Sequence, residues 1–314
     1  MKLQQTKPRI GIYGVTGCAG CQLTMLFREE ILTIANLVDI VAFPLGKENN
    51  DEGPIDIVFI EGLVADKRDL EQVQKLRERA KIVVALGACA VHGCTPGIKN
   101  FVDKDIENKV YEKTEHLESL DPNPIDRYIK VDFHIKGCPV DREELMYFIK
   151  QFLLGKKPYV QERSMCYICN LKENYCLLDQ NIECMGPLID GNCSIICPNF
   201  DHGCTGCRGP IKDANIYAWL ELMTKYKGFD KKLMLQRLNK YAGIKFNEYM
   251  REQGLEPEDL QDNRKKMIAK TLKIIKDQII ENPVKVGIDK INNIKKSIKK
   301  EINIDNKKKK LKKK

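Results

Sequence analysis

The sequence lacks any apolar run long enough to cross a membrane. Its longest nearly apolar stretch is IVVALGACAV, residues 82–91, whereas a transmembrane helix needs about 20 apolar residues. The opening residues, MKLQQTKPRIGIYG, contain neither the apolar core of a secretory signal nor a twin arginine. We therefore expect a cytoplasmic protein, whose thiols stay reduced.

Residue patterns of common hydrolytic and nucleotide-binding sites are also missing. The chain has only four histidines, at positions 92, 116, 134 and 202, with no H-x-x-x-H spacing and no nucleophile elbow. The loop after the first apolar run has glycines at 14, 17 and 20, which fits neither a Walker loop nor G-x-G-x-x-G. Neither hydrolysis nor phosphate binding is indicated.

The excess of positive charge is confined to the C-terminal end. The net charge is +9, and residues 295–314 alone contain eleven lysines against Glu301 and Asp305. The remaining residues are therefore close to neutral, which argues against a nucleic-acid partner for the folded part.

Cysteine, by contrast, is abundant and clustered. The 13 cysteines are an odd number, which does not suit a fully paired disulfide framework. In a reducing compartment such a density points to metal binding.

Apolar, β-rich runs alternate with helix-patterned stretches over the first half of the chain. The strand-like runs are residues 10–15, 38–43, 55–62, 81–89 and 128–138, and the helical stretches include 22–35, 66–80 and 141–153. This alternation predicts an α/β fold with a parallel sheet covered on both faces. We assign residues 1–155 to a flavodoxin-like, doubly wound domain.

Four cysteines follow the ends of predicted strands: Cys18 and Cys21 after the first, Cys89 after the fourth and Cys138 after the fifth. The carboxyl ends of parallel strands meet at one edge of the sheet, where such folds bind ligands. The sequence therefore predicts that four thiolates from three loops form one metal site.

A second cysteine-rich domain is predicted over residues 156–215. Residues 166–207 contain eight cysteines and little apolar periodicity, so we do not expect them to build a hydrophobic core. Two metal sites with four cysteines each would hold this segment together, and structural zinc ribbons are the alternative to redox clusters.

The third predicted domain is a helical extension, residues 216–314. Isoleucines at 288, 291, 294, 298 and 302 predict an amphipathic helix with a lysine face, and the end, NKKKKLKKK, is predicted to be disordered. The extension either packs on its own domain with a solvated tail, or docks on an acidic protein or membrane surface.

Over residues 9 to about 215 the chain resembles the small, electron-transferring subunit of nickel–iron hydrogenases, of the cytosolic F420-non-reducing and sulfhydrogenase delta-like type. The motifs that carry the resemblance are GCAGCQLT, IVFIEGLV, ALGACAVHG, IKGCP, CMGP and CPNFDHGCTGCRGP. The resemblance implies a hetero-oligomeric oxidoreductase in which a large subunit carries the nickel–iron site. The chain alone would have no hydrogenase activity, and a further redox partner or acceptor is expected.

The resemblance also implies three 4Fe–4S clusters. The proximal cluster would be held by Cys18, Cys21, Cys89 and Cys138, the distal cluster by Cys166, Cys169, Cys176 and Cys184, and the medial cluster by Cys193, Cys197, Cys204 and Cys207. Many relatives have a histidine at the position of Cys166 and a three-iron medial cluster lacking a cysteine near Cys197. Both positions are cysteine here, so three cubanes are expected.

Some residues near the predicted proximal cluster have less definite roles. Glu61 matches an acidic position of the family, and His92 either donates to a cluster sulfur or packs at a subunit interface. Oxygen-tolerant relatives have an extra cysteine at the position of Cys94, paired with another cysteine in the first loop. That second position is Gly20 here, so we expect Cys94 to be buried and to have no role as a ligand.

Two related classes of protein offer further interpretations. The small subunit of respiratory complex I has adjacent cysteines in its first loop and lacks the eight-cysteine segment, so it fits this chain less well. An oxidoreductase whose large subunit has lost its nickel ligands would retain the clusters, and it stays open.

Overall fold

The computed structural model describes residues 7–26, 30–102 and 119–252. The strands are β1 (Arg9–Gly14), β2 (Asp39–Ala42), β3 (Ile55–Glu61), β4 (Val64–Asp66), β5 (Ala80–Leu86), β6 (Ser119–Asn123) and β7 (Phe133–Ile135). The α-helices are α1 (Gly20–Leu26), α2 (Glu30–Leu37), α3 (Lys67–Arg79), α4 (Gly87–His92), α5 (Arg142–Leu153), α6 (Met165–Leu171), α7 (Ile196–Asn199), α8 (Ile216–Glu221) and α9 (Lys231–Glu252).

Five strands form a parallel sheet in the order β2-β1-β3-β5-β7. This is the flavodoxin-like order, so the predicted fold class is confirmed. The register aligns Gly14 with Glu61, Glu61 with Leu86, and Leu86 with Ile135. Four strands therefore end in one row, and the loops that follow them leave from the same edge.

The sheet is buried on both faces, as its near-continuous apolar strands require. One face packs with Met25 and Phe148, from α1 and α5. The opposite face packs with Val73 and Val91, from α3 and α4. The strands therefore form a rigid base for the loops at the carboxyl edge.

Several element boundaries differ from the predictions. The apolar run 81–89 is divided, because β5 ends at Leu86 and α4 begins at Gly87, whose φ of 86° is left-handed. Only Phe133–Ile135 of the run 128–138 pairs in the sheet, and the antiparallel pair β4–β6 was not predicted.

Residues 216–252 pack on the α/β body within one compact unit, residues 1–253. In α9, Met234 and Phe246 are fully buried, and the Ile244 side chain lies against Gly93 and Gly97 beyond α4. The division into domains at residues 155 and 215 stays a prediction. The predicted amphipathic helix at 288–302 and the lysine tail lie outside the described residues, and no described helix combines the length and apolarity of a membrane span.

Candidate functional site

Three loops at the carboxyl edge of the sheet carry the first group of thiols. Cys18 precedes α1, Cys21 lies in α1, Cys89 lies in α4, and Cys138 follows β7. Burial raises the pKa of Cys21 to about 12, with further contributions from Glu61 and Cys18, while the backbone N–H of Val140 donates to its sulfur. The structure thus brings these loops together as the sequence analysis expected, and the role of the four thiols as ligands stays a prediction.

Gly87 allows the end of β5 to approach the first loop. A Cβ built at this position would lie 2.3 Å from Cys21 Sγ, far closer than two such atoms can approach. The left-handed φ of Gly87 also disfavours any residue with a side chain. Glycine at this point therefore makes room for the Cys21 sulfur beside α4.

Glu61 lies at the end of β3, with 2% of its surface exposed. Its Oε1 accepts a hydrogen bond from the backbone N–H of Cys21 at 3.1 Å, and its Oε2 accepts one from Gln22 Nε2 at 2.8 Å. The carboxylate therefore fixes the start of α1, which carries the second thiol of the loop.

Cys94 is buried, as expected, but it contacts two of the predicted ligands. Side-chain hydrogen bonds from Cys138 and Cys89 lower the pKa of Cys94, and Thr95 contributes in the same direction. The same hydrogen bonds, together with burial, raise the pKa of Cys89 and of Cys138. The edge of the sheet thus holds five neighbouring thiols, one more than a cubane cluster needs.

A second group of thiols surrounds α6. Burial raises the pKa of Cys166 to about 11, and the neighbouring thiols Cys184, Cys169 and Cys176 raise it further. Ser164 caps this helix by accepting from the backbone N–H of Tyr167 at 3.2 Å. These four cysteines are the set predicted for the distal cluster.

The third group combines α7 with the C-T-G-C turn that follows it. Burial raises the pKa of Cys193 to about 11, and it raises the pKa of Cys197, Cys204 and Cys207 as well. Cys204 and Cys207 are each close enough to Cys197 for its charge to act on them. Within the described ranges, however, no three His, Cys, Asp or Glu side chains form a site for a single metal ion.

Backbone N–H groups connect the third group with both of the others. The backbone N–H of Cys138, from the first group, lies close enough to the Cys207 sulfur to lower the pKa of that thiol. The N–H of Cys204 donates to Cys184 Sγ, in the second group, at 3.3 Å. Close approach of the chain supports this second contact, because a Cβ at Gly203 would overlap Glu183 O at 1.7 Å. The third group is therefore in contact with each of the other two.

A buried ion pair, which the sequence analysis missed, holds the cysteine-rich segment on the α/β body. The Arg208 side chain is 1% exposed, and its two Nη atoms donate to the Glu144 carboxylate of α5 at 2.6 and 2.8 Å. Arg208 directly follows Cys207, which was the only signal in the sequence. A charged residue in a cysteine-rich loop is ordinarily solvated, so its burial was not predictable.

His92 packs inside the protein rather than on a sulfur. Its Nε2 donates to the backbone oxygen of Arg208 at 2.9 Å. Burial lowers the pKa of His92 well below its ordinary value, so the ring is neutral and this bond uses its only N–H. The ring also lies against Gly209, and the hypothesis that His92 donates to a cluster sulfur is wrong for this arrangement.

Comparisons with known proteins identify relatives of this chain. A family described as NADH ubiquinone oxidoreductase, 20 Kd subunit, matches residues 18–152. Sulfhydrogenase 2 subunit delta of Pyrococcus furiosus is 34% identical over 219 residues, covering 68% of this chain and 92% of that protein. A subunit of the F420-non-reducing hydrogenase of Methanothermobacter thermautotrophicus is 30% identical, covering 65% of this chain and 79% of that protein.

A similar chain also occurs among solved structures. A chain in the crystal structure of an NAD+-reducing [NiFe]-hydrogenase in the H2-reduced state has 28% sequence identity and a TM-score of 0.45. The similarity covers 49% of the present chain and 96% of that chain.

Proposed function

Because this chain belongs to the family of nickel–iron hydrogenase small subunits, we propose that it conducts electrons through three 4Fe–4S clusters. The electrons would pass between the nickel–iron site of the large subunit and an acceptor. The proposed ligands are Cys18, Cys21, Cys89 and Cys138 for the proximal cluster, Cys193, Cys197, Cys204 and Cys207 for the medial cluster, and Cys166, Cys169, Cys176 and Cys184 for the distal cluster.

The donor set fits iron–sulfur clusters. All twelve proposed ligands are free thiols, and cysteine thiolate is the usual ligand of such clusters. Burial raises the pKa of most of these thiols, because a thiolate in an apolar site is costly unless a positive charge or a hydrogen bond compensates it. Bound iron would supply that positive charge.

Backbone amides near the sulfurs add to this fit. Gly20 N–H points to Cys18 Sγ at 3.4 Å, and Gly186 N–H points to Cys184 Sγ at 3.4 Å. The N–H of Ile195 donates to Cys193, and the N–H of Gly206 donates to Cys204. Such hydrogen bonds stabilise the negative charge on cluster sulfur and contribute to the reduction potential.

The observation that carries the proposal is that the third thiol group contacts each of the other two. The first group touches the third through the Cys138 N–H and Cys207 sulfur, and the third touches the second through the Cys204 N–H and Cys184 sulfur. A series of clusters with the medial one in the centre requires these two contacts. When bound, each cluster takes up and releases one electron at a time.

The protein itself holds the ligands and limits the access of water. Cys21 and Cys204 are buried, whereas Cys18 and Cys138 of the first group are exposed. We place the large subunit on that exposed side, because it would then face the proximal cluster. The acceptor would approach the second group, beside exposed Cys176.

Metal and sulfide analysis of the anaerobically purified complex tests the proposal. About twelve irons and about twelve inorganic sulfides per chain are expected, with three cluster signals in paramagnetic resonance after reduction. Bound zinc with little iron or sulfide would identify a structural zinc module instead. A complex with all three clusters that fails to reduce dyes with hydrogen would identify a partner that has lost its nickel site.

A further inference from the structure

Trp219 connects the helical extension with the second group of thiols. It is the only tryptophan of the chain, it lies in α8, and 3% of its surface is exposed. Its Nε1 donates to the backbone oxygen of Cys184 at 2.8 Å. An indole N–H inside a protein needs an acceptor, and here a proposed ligand of the distal cluster supplies it. The first helix of the extension is therefore bonded directly to that ligand.

Cys184 is also bonded to Cys204, which belongs to the third group. The N–H of Cys204 donates to Cys184 Sγ at 3.3 Å. In the reverse direction, the N–H of Met185 donates to the backbone oxygen of Cys204 at 2.9 Å. We call this pair of hydrogen bonds the Cys184–Cys204 junction. It joins a proposed ligand of the distal cluster to a proposed ligand of the medial cluster.

Trp219 sets the orientation of one peptide group in this junction. The Cys184 oxygen and the Met185 N–H belong to the same peptide unit, which is planar. Trp219 Nε1 bonds to the oxygen of this unit, and Cys204 accepts from its N–H. A rotation of the unit would therefore break both bonds. The indole thus keeps the Met185 N–H aimed at Cys204.

A second residue of the extension holds the same segment. Arg237, in α9, forms an ion pair through its Nη2 with the carboxylate of Glu183, the residue before Cys184. The chain of the third group approaches Glu183 closely, since a Cβ at Gly203 would lie 1.7 Å from the Glu183 oxygen. The extension therefore contacts the segment beside the junction at one side chain and at one backbone oxygen.

We propose that Trp219, assisted by Arg237, is a positioning residue that keeps the Cys184–Cys204 junction closed and so fixes the distance between the distal and medial clusters. Partners of metal ligands commonly orient those ligands. The inference rests on the proposed function, since it needs a cluster on each of the two cysteines. One electron passes from the reduced medial cluster to the oxidised distal cluster, or in reverse, and no proton is transferred at Trp219. Because electron tunnelling weakens steeply with distance, an open junction slows this step.

Amide hydrogen exchange and paramagnetic resonance of the complete complex test the inference. Trp219→Phe keeps an aromatic side chain but removes the N–H that bonds to Cys184. The amides of Met185 and Cys204 should then exchange at least about tenfold faster, which corresponds to about 1.4 kcal/mol, because a carbonyl left without its donor destabilises the closed junction. The magnetic splitting between the reduced distal and medial clusters should decrease, while the iron content stays at about twelve per chain.

Tyr249→Phe is the matched control. Tyr249 is also an aromatic residue of the extension, and its hydroxyl donates to the backbone oxygen of Lys212 at 2.5 Å, which is not a residue of the junction. This variant also removes a donor to a backbone oxygen, yet it should leave the exchange of the junction amides and the splitting unchanged. Arg237→Gln should change both in the same direction as Trp219→Phe but less, because its ion pair is partly exposed.

The outcomes separate this inference from the proposed function. The distal and medial signals are those altered by Cys166→Ser and Cys193→Ser, respectively, and a wild-type complex without them would overturn both. Normal wild-type signals, with Trp219→Phe changing the exchange and the splitting no more than Tyr249→Phe does, would overturn only the role of Trp219. If Trp219→Phe loses iron, Arg237→Gln decides. Faster exchange of the junction amides with full iron content then supports the inference, and unchanged exchange overturns it.

Discussion

Five thiols meet at the carboxyl edge of the sheet, although four suffice for one cubane cluster. Cys94 differs from the others in that it is buried and hydrogen-bonded to two of them, Cys89 and Cys138. It also comes from the turn after α4, at a φ of 44°, rather than directly from the end of a strand. Cys94 therefore lies beside two of the four proposed ligands of the proximal cluster, in a position to support their sulfurs.

Replacement of individual thiols distinguishes a ligand from such a neighbour. Cys138→Ser should reduce the iron content from about twelve to about eight per chain, because the proximal cluster loses a ligand. Cys94→Ser should keep about twelve irons and nearly the same rate of hydrogen-dependent dye reduction, since a hydroxyl retains the hydrogen-bonding capacity. If Cys94→Ser loses as much iron as Cys138→Ser, Cys94 belongs to the ligand set.

A single glycine controls how closely two of the loops approach. Gly87→Ala should lower the free energy of unfolding by roughly 2 kcal/mol or more, from its left-handed φ alone, and it should also displace the proximal cluster because its methyl group overlaps Cys21 Sγ. Gly155→Ala is the control, since Gly155 has a φ of 66° and no atom within 4 Å of a built Cβ. Unfolding curves and iron content of the two variants should differ, and equal iron loss would show that strain alone is responsible.

At the level of elements, the apolar strands were predictable and their exact ends less so. The β1 and β3 predictions agree with the structure to within one residue, because both strands are buried on two faces. The strand predicted over 81–89 was too long. Its alanines and cysteine occur in buried strands and in buried helices, so their apolar character did not indicate where the strand ends. The strand ends at the conformation of Gly87. The strand predicted over 128–138 was also too long. The Asp132 carboxylate accepts a hydrogen bond from Val83 N–H at 2.8 Å, and this side-chain bond replaces part of the backbone pairing with β5.

The candidate site was predictable to the extent that it depends on strand order. Parallel strands that end in one row bring Cys18, Cys89 and Cys138 to one edge, whatever the details of the loops. The Arg208–Glu144 pair was not predictable, because it joins residues 64 positions apart through packing between the cysteine-rich segment and α5. Local sequence contains no signal for such a contact.

The cysteine-rich segment contains only short elements, so its fold should depend on its clusters. In that segment α6 has seven residues and α7 has four, and isolated helices of this length are unstable. Limited proteolysis of metal-free protein should cut between about residues 160 and 210, and it should spare most of residues 9–155. Protein with its clusters intact is the control, and resistance of that region without metal would contradict the expectation.

For the whole molecule, the lysine-rich end is predicted to act apart from electron transfer. Truncation after Asn282 should leave iron content and electron transfer to dyes unchanged, because every proposed ligand precedes it. The same truncation should abolish attachment to anionic vesicles, to which each lysine contributes about 1 kcal/mol. Attachment of the full chain should also disappear near 1 M salt, where the Debye length is about 3 Å.

A chain of full length with the seven lysines of 307–314 replaced by glutamine is the control for that truncation. This variant keeps the isoleucine pattern. Its attachment to anionic vesicles therefore shows how much of the binding comes from the lysine charges and how much from the apolar side of the predicted helix. Should the unaltered protein fail to attach to anionic vesicles or to a redox partner at low salt, the extension is better explained as a helix packed on its own domain with a solvated tail.

The exposure of Cys18 and Cys138, beside the buried Cys21, has a consequence for the order of assembly. Two cysteines of the first group are exposed residues, and oxidants can convert accessible thiols to sulfenic acid or a disulfide. Early pairing with the large subunit would shorten this vulnerable period. The newly made chain is therefore best produced together with its partner, in the absence of air.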